Sequence, residues 1–466
     1  MEPQSVASNN EPVAAQLHLD FLPQIPVLVQ PAAGQLTSDA GLLPLRQFDA
    51  RWNYTARMAA CLNDPKPQRG QSLAAMVRQR VFGILAGYED CNDHDTLRAD
   101  PVFKLIADRL PGDSALASQP TLSRFENLPT PAVLQKLVDF TIATGIERLR
   151  QHHGGALPAE ITLDLDATDD PTHGHQQLTL FHGYYAQYQY FPLIISEPTT
   201  KHVFVAWLRP GTVHASIGAD DDLLRVVAAL RKERPDIAVH VRGDAGFGLP
   251  RMYEVCEQNG LTYTFGFATN ARLKARTEGL LQQAVAGYEQ TQDKQRRFDC
   301  FTYQCDSWDR KRQVIAKAEC HAEGTNLRFV VTNRPGVATA ADGEREYDHY
   351  IQRGESEQRM DELKNGLSMD RLSCHRFLAN FFRLQLHVAA LNLLNAQRDD
   401  PALPEVLRKG QPCTWRTLVI KVAAVVVQST RRVVVQLAGN WPWWRMYQAA
   451  AQRAATFLWS PVPTTG

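Results

Sequence analysis

The order of short apolar runs after Pro158 constrains the fold more than any other feature of the sequence. Three strand-like runs come first, and helix, strand, helix and strand then follow in turn. Neighbouring strands followed by helical crossovers predict an α/β fold, in which helices flank a mixed sheet. The predicted strands are 161–166, 190–196, 202–208, 237–241 and 261–265, and the predicted helices are 221–232 and one from about 250.

The segments on either side of this stretch have other patterns. Apolar residues three and four positions apart predict helices from Leu42 to about His152. Strand-like runs return between 267 and 344, and a stretch without proline, 336–400, predicts helix with a break near Gly366. The order after Pro158 is that of a mixed sheet flanked by helices, as in the ribonuclease-H-like fold, and the later strand-like runs indicate an inserted β-region. The predicted strands of this region are 297–304, 313–317 and 327–332.

The charges of the chain are segregated, although its 50 basic and 50 acidic residues cancel. Residues 151–200 contain six acids and no Lys or Arg, whereas residues 401–466 contain eight basic residues and one acid. Such a chain can combine a metal-binding carboxylate site with a phosphate-binding surface. Zero net charge therefore does not exclude a nucleic-acid partner.

Cysteine usage and hydropathy bear on the compartment. The eight cysteines include no C-x-x-C pair, so neither a zinc ribbon nor a redox motif is predicted. The first ten residues lack the pattern of a secretory signal. The longest apolar run, 418–427, contains Lys421 and is far shorter than the roughly 20 residues that span a bilayer. We therefore expect a cytoplasmic protein with no membrane segment.

Two strand ends carry the first candidate metal ligands. Asp164 and Asp166 point to one face of their strand, and Asp166, at its end, is the better ligand. Asp164 has the alternative of a structural role. Asp244 follows a second apolar run and lies among glycines that permit an exposing turn. The glycine spacing fits neither G-x-G-x-x-G nor a Walker A phosphate loop.

A third carboxylate lies in the predicted helical stretch. On a helix at 100° per residue, Tyr350, Arg353, Glu357 and Lys364 fall within a stripe of about 60°. A carboxylate flanked by two cations and a phenol suits a metal ion and the phosphates of a nucleic acid. A solvated helix face with an Arg353–Glu357 ion pair is the alternative.

The spacing of these four residues resembles a known signature. Tyr, two residues, Arg, three residues, Glu, six residues and Lys is the order typical of DDE transposases in the bacterial insertion-sequence-4-like superfamily. Further stretches are similar to the insertion-sequence 1380 family, and the resemblance covers nearly the whole chain. These stretches are 87–90, 92–93, 97–98, 119–127, 166–168, 243–247, 370–372 and Asn380.

The resemblance implies a transposase that cleaves DNA and transfers the cut strand by two-metal phosphodiester chemistry. It maps the catalytic, metal-binding acids onto Asp166, Asp244 and Glu357, with two Mg²⁺ or Mn²⁺ ions as cofactors. The implied partners are double-stranded DNA, as terminal inverted repeats and as target, and a second copy of the chain in a homodimer. The implied location is the bacterial cytoplasm, on the nucleoid when DNA is bound.

Seven residues are candidate DNA contacts. The helix after Pro120 exposes polar side chains that could enter a DNA groove, although a connector helix is an equal alternative. Trp308 precedes three basic residues and could stack on an extruded base, but core packing is the alternative. Residues of the helical stripe would hold phosphates or position the strand. The seven are Thr121, Ser123, Arg124, Trp308, Tyr350, Arg353 and Lys364.

The resemblance also implies a division of the chain into functional regions. We expect a ribonuclease-H-like catalytic core, a β-rich insertion before the helix of Glu357, and an N-terminal helical DNA-binding domain. The expected regions are 1–35, a partly ordered arm; 36–155, the DNA-binding domain; 156–266, the first part of the core; 267–344, the insertion; 345–400, the Glu357 region of the core; and 401–466, a basic C-terminal region.

Three alternatives remain open from the sequence. His173, His175 and His182 could form a zinc cluster with nearby acids, although a polar connection between strands is the default. The protein could bind DNA without cutting it, as a repressor or a transposase relic does. It could also be a metal-dependent nuclease that performs no strand transfer.

Overall fold

The computed structural model describes residues 17–19, 27–29, 34–63, 70–183 and 185–458. Most of the expected arm 1–35 lies outside these residues. Its described part includes two short strands, which pair antiparallel: β1 (Leu17–Leu19) and β2 (Val27–Val29). The third strand, β3 (Gln35–Thr37), leads into the helical region.

The described residues between Leu42 and His152 form a series of helices, as the apolar spacing predicts. The helix α3 begins after Ser72, whose side chain accepts a hydrogen bond from the Ala75 amide, and it ends before Gly87, whose φ is 89°. The helices are α1 (Leu42–Trp52), α2 (Tyr54–Ala60), α3 (Leu73–Ala86), α4 (His94–Leu97), α5 (Pro101–Ile106), α6 (Gln119–Glu126) and α7 (Pro131–His152).

The next region supplies five strands of a large mixed sheet. One predicted strand, 190–196, is divided into β7 and β8, because Pro192 has no N–H to donate to a strand ladder. The elements are β4 (Glu160–Ala167), β5 (Asp170–Pro171), β6 (Leu180–His182), β7 (Gln187–Tyr190), β8 (Leu193–Ser196), β9 (Val203–Trp207), α8 (Ala219–Glu233), β10 (Ala238–Gly243), α9 (Pro250–Gln258) and β11 (Thr262–Phe267).

Three more strands of this sheet come from the stretch 267–344. The expected β-rich region contains two helices and an antiparallel meander, and β14 of the meander pairs with β11. The meander therefore extends the central sheet and does not form a sheet of its own. The elements are α10 (Ala271–Arg276), α11 (Glu278–Thr291), β12 (Gln295–Tyr303), β13 (Arg312–His321) and β14 (Gly324–Thr332).

The sheet has the strand order β12-β13-β14-β11-β10-β4-β8-β9. The central strands β4, β10 and β11 run parallel, and β8 and β9 continue antiparallel on one side. The chain between β4 and β8 forms a separate three-stranded sheet of order β5-β7-β6.

The remaining elements cover the sheet and return to the N-terminal helices. They are α12 (Ala340–Ile351), α13 (Gly354–Asp361), a π-helical turn (Glu362–Gly366), α14 (Phe377–Arg398), α15 (Glu405–Arg408), α16 (Pro412–Trp415), a second π-helical turn (Arg416–Ile420), β15 (Ala424–Gln428), β16 (Val433–Leu437) and α17 (Trp444–Thr456). The strand β15 pairs with β3, and α17 packs on α1.

The long helix α14 lies at the centre of the apolar core. Among the described residues it is the helix long and apolar enough to cross a membrane, but 89% of its apolar window is buried within the protein. It contacts α3, α7 and β9. Burial on all sides explains why its apolar residues are not confined to one face.

Candidate metal and DNA site at the ends of two parallel strands

The pairing of β4 with β10 brings two aspartates to one edge of the sheet. Arg242 pairs with Asp164 and Gly243 with Leu165 in parallel register. One further step in this register places Asp244 beside Asp166. Asp166 is 8% exposed, and Asp244 is exposed on the loop that follows β10.

Close packing shapes the loop after β10. The Asp244 carboxylate accepts a hydrogen bond from the amide of Gly246 (2.8 Å). A Cβ atom at Gly266 would lie 2.7 Å from the backbone nitrogen of Ala245 and 3.0 Å from the Tyr350 hydroxyl. Only glycine permits this approach, and it places Tyr350 at the same edge as the two aspartates.

Asp164 has a structural environment. It is fully buried, and its carboxylate accepts hydrogen bonds from two guanidinium groups. Arg242 donates from Nε to Oδ1 (2.7 Å) and from NH2 to Oδ2 (3.0 Å), and Arg359 donates to Oδ2 (2.9 Å). Such pairing satisfies a buried charge, so Asp164 holds β4 to β10 and α13.

Arg353 connects Asp166 to Glu357. Its NH1 donates to Oδ1 of Asp166 (2.8 Å), and its NH2 lies 3.4 Å from Oε1 of Glu357. Burial raises the pKa of Asp166 to about 6, although the Arg353 charge favours the ionised form. The Glu357 side chain is 71% exposed. One guanidinium therefore lies between a buried and an exposed carboxylate.

The expected stripe on a single helix is wrong. The helix α12 ends at Ile351, and Arg353 precedes the first residue of α13. Hydrogen bonds of the 3₁₀ type, between residues three apart, replace the α-helical pattern here. The amide of Arg353 donates to the carbonyl of Tyr350 (2.9 Å), and the amide of Ser356 donates to the carbonyl of Arg353 (2.7 Å). The 100° rule does not hold across such a break.

Lys364 lies in the first π-helical turn and contacts another part of the site. Its Nζ donates to Oδ1 of Asp169 (3.0 Å) and to the Asp169 carbonyl (2.9 Å), and lies 3.4 Å from Oγ1 of Thr168. These partners directly follow β4. Lys364 therefore holds the segment just beyond Asp166, and its ammonium is not beside Glu357 on a common helix face.

The polar residues of α6 lie elsewhere. Arg124 is exposed and its NH2 donates to Oγ1 of Thr121 (3.2 Å), while Thr121 and Ser123 are half-buried. In the described part of the chain, none of the three forms a hydrogen bond or ion pair with the acids at the sheet edge. Phe125 anchors the helix against Phe382, with ring centroids 5.2 Å apart.

Trp308 is a packing residue. It is 5% exposed and lies against Tyr253, Phe267 and Tyr303, with ring centroids 5.4, 5.1 and 5.9 Å away. The Arg312 guanidinium lies 5.6 Å from its ring centroid. The ring has no free face on which a base could stack, so the expected DNA contact of Trp308 is wrong and the core-packing alternative agrees with the structure.

The potential metal ligands at the sheet edge are all carboxylate oxygens, the type of ligand that Mg²⁺ and Mn²⁺ prefer. The guanidinium of Arg353 already supplies a positive charge between two of them. The oxygens of Asp166, Asp244 and Glu357 do not all lie within 4.8 Å of one another. The acids therefore fit divalent ions by the chemistry of their oxygens. Binding requires the Arg353 guanidinium to leave its position between Asp166 and Glu357.

A different group meets that spacing. Among the described residues, the ligand atoms of His240, Glu346 and His349 all lie within 4.8 Å of one another. No spacing in the sequence indicates this group, since only the contact of α12 with β10 brings its members together. The expected alternative of His173, His175 and His182 with nearby acids does not meet this spacing among the described residues.

The family of DDE transposase domains, described as Transposase DDE domain group 1, matches residues 22–457. No curated protein is significantly similar in sequence to the chain. Among solved structures, a piggyBac transposase synaptic complex with hairpin DNA is 12% identical, and the match covers 82% of this chain and 88% of that chain. The TM-score of this match is 0.34. By the match over residues 22–457, the chain belongs to the DDE transposase family.

Proposed function

We propose that this transposase binds the terminal inverted repeats of its own insertion sequence, cleaves the DNA there, and joins the cut ends to target DNA. The observation that carries the proposal is the meeting of Asp166 and Asp244 at adjacent strand ends, with Arg353 linking Asp166 to Glu357. When bound, two Mg²⁺ or Mn²⁺ ions would activate the attacking hydroxyl and stabilise the leaving oxygen.

The three acids have separate tasks in this proposal. Asp166, buried at the strand end, and Asp244, exposed on its loop, face the reacting phosphate from the sheet. Glu357 closes the set from α13. Burial raises the pKa of Asp166 to about 6. A cation bound beside this carboxylate would lower the pKa again, because an opposite charge stabilises the ionised form.

Arg353 is proposed to act in two states. In the state described, its guanidinium holds Asp166 and Glu357. Asp166, Asp244 and Glu357 would hold the divalent ions, and the Arg353 guanidinium, whose planar pair of donors suits phosphate oxygens, would bind the DNA strand. Lys364 fixes the segment after β4, and Tyr350 positions the strand beside Asp244.

The strand order also supports a ribonuclease-H-like core. In β9-β8-β4-β10-β11, the first three strands run antiparallel and the last three parallel. The two aspartates follow neighbouring strands of this set. We assign residues 156–266 and 345–400 to this core, and sequence recognition to residues 36–155 with Thr121, Ser123 and Arg124 of α6.

The partners follow from the same proposal. They are double-stranded DNA and a second copy of the chain, since two transposon ends have to be brought together before both are joined to target DNA. We further propose that the element is of the insertion-sequence 1380 type and acts in a bacterial cytoplasm.

One experiment tests the function. Purified protein and Mg²⁺ are incubated with the inverted repeats that flank its coding region and with target DNA, and the cut and joined strands are mapped. Cleavage at the repeat ends followed by joining supports the proposal. Cleavage without joining indicates a nuclease, and binding without cleavage indicates a non-catalytic DNA-binding protein.

A further inference from the structure

A second cluster of metal-ligand side chains lies under α12, away from the sheet edge. His240 is on β10, four residues before Asp244, and Glu346 and His349 are on α12. His240 is fully buried and Glu346 is 5% exposed, while His349 is half-buried. Their ligand atoms all lie within 4.8 Å of one another.

His240 has an unpartnered nitrogen that points into this cluster. Its Nδ1 lies 2.9 Å from Oγ1 of Thr262, whereas its buried Nε2 has no hydrogen-bond partner and lies 3.7 Å from Oε1 of Glu346. In metal sites, one imidazole nitrogen binds the ion while the other bonds to an oxygen. With its Nδ1–H donated to Thr262, His240 would present a bare Nε2 to the cluster.

The other two ligands are also held in place. The Thr264 hydroxyl donates to Oε1 of Glu346. The backbone carbonyl of His349 accepts from NH1 of Arg242 (2.5 Å). Burial lowers the pKa of His240 well below its ordinary value and that of His349 to about 4. Both imidazoles are therefore neutral near pH 7, as metal ligands must be.

Arg334 is the cation that faces these ligands. Its NH1 lies 3.2 Å from Nδ1 of His349 and 3.4 Å from Oε2 of Glu346, while its NH2 donates to Glu160 (2.7 Å). An ion entering the cluster has to displace NH1, and Glu160 gives the guanidinium a partner on the solvent side. The other nearby cation, Arg242, is already paired with Asp164.

We propose that His240, Glu346 and His349 form a binding site for a Zn²⁺-type transition metal ion, separate from the catalytic acids. Two imidazoles and one carboxylate are a typical zinc ligand set that leaves a position for water. A cleft of about 450 Å³, lined by Glu160, Arg334 and His349 among others, leads to the cluster. The ion would fix α12 to β10.

This site is tested in full-length protein that carries Asp166→Asn and Asp244→Asn, so that the sheet edge no longer competes for metal. After chelation, Zn²⁺ is added, and bound metal and thermal unfolding are measured. We expect one Zn²⁺ per chain and a rise in Tm. Co²⁺ in its place should give the visible absorption of a tetrahedral site with nitrogen and oxygen ligands.

Variants made in this background locate the ion. His240→Ala and His349→Gln should each weaken Zn²⁺ binding at least about 10-fold, whereas His173→Ala, an exposed control, should not. Arg334→Met should strengthen binding, because it removes the competing cation. The half-buried His349 decides the matter if His240→Ala fails to fold.

Either of two results would overturn the proposal. One is that the background protein binds no Zn²⁺. The other is that His349→Gln binds the ion as tightly as its parent. The cluster would then be only a polar network neutralised by Arg334. Neither result bears on DNA cleavage, since the three residues have no part in the proposed function.

Discussion

The middle and the end of β4 carry the same residue type on the same face, yet the two aspartates have different environments. Asp164 is fully buried and accepts hydrogen bonds from two arginines. Asp166 lies at the strand end and shares its one arginine with Glu357. The charge of Asp164 is fully paired with arginines of the protein, so this carboxylate is structural. The charge of Asp166 is only partly neutralised at an open edge of the sheet, so this carboxylate can accept a ligand.

The largest expected effect is the loss of DNA cleavage when an acid at the open sheet edge is neutralised. Asp166→Asn, Asp244→Asn and Glu357→Gln should each reduce cleavage of the terminal repeats by at least ~1000-fold, because the proposed metal site would lose one ligand charge. DNA binding, measured by gel shift, should remain close to the parental level. A variant that still cuts at a near-parental rate would remove its residue from the catalytic set.

Arg353→Ala should reduce cleavage by about 100-fold or more, the scale on which the loss of one charge-stabilising donor acts. Thermal unfolding should shift by no more than a few degrees, since the side chain lies at the open edge of the sheet and one of its two partners, Glu357, is 71% exposed. Arg353→Lys should stay impaired, because an ammonium cannot present a planar pair of donors. Full activity of the Lys variant would show that charge alone suffices.

Asp164→Asn should affect stability and not the metal. Removing this charge leaves two buried guanidinium groups unpaired, which costs about 3–5 kcal/mol in comparable buried pairs. Urea unfolding checks the value, with Asp166→Asn as the matched control that should lose much less. Equal losses in the two variants would erase the distinction between the middle and the end of β4.

The pH dependence of stability tests the environment of Asp166. In the folded protein its pKa is raised to about 6, against 3.8 for the unfolded chain. The folded state therefore holds the proton more tightly, and this contribution to stability is present below pH 3.8 and lost as the pH rises through 6. Without metal, the loss should reach about 3 kcal/mol relative to Asp166→Asn. A constant difference between pH 4 and 7 would refute the raised pKa.

The smallest effect concerns the basic C-terminal region. Arg431 and Arg432 are exposed in the turn between β15 and β16, where Ser429 accepts hydrogen bonds from both amides. Each Ala substitution should lower the slope of log K against log salt by about 1 on any DNA. A loss confined to the terminal repeats would instead assign sequence recognition to this turn. Deleting the whole region is unsuitable, because Trp415 and β15 belong to the core.

The main strands could be predicted because the spacing of apolar residues, and the glycine and proline residues that end an element, are local signals. The order β4, β8, β9, α8, β10, α9 and β11 follows from apolar runs, and the register of parallel strands then brings Asp166 and Asp244 together. The short strands β5 and β6 were not predicted. Pro192 divides a predicted strand, a local effect that was available from the sequence.

Non-local packing explains what could not be predicted. The break between Tyr350 and Glu357 lets Arg353 reach across to Asp166, which no helical projection shows. Trp308 looks like an exposed aromatic beside basic residues, but tertiary contacts enclose it. The grouping of His240 with α12 depends on residues about a hundred positions apart, so no spacing rule indicates it.

The central claim is that Asp166 and Asp244 bind the catalytic metal directly, and Asp→Cys variants test it most sharply. Asp166→Cys and Asp244→Cys should fail to cut the terminal repeats with Mg²⁺ and regain cleavage with Mn²⁺, because sulfur is a poor ligand for Mg²⁺ and a better one for the softer ion. Asp164→Cys, the matched control from the middle of β4, should show no such rescue. Parental cleavage by Asp166→Cys in Mg²⁺, or a Mn²⁺ rescue confined to Asp164→Cys, would contradict the account.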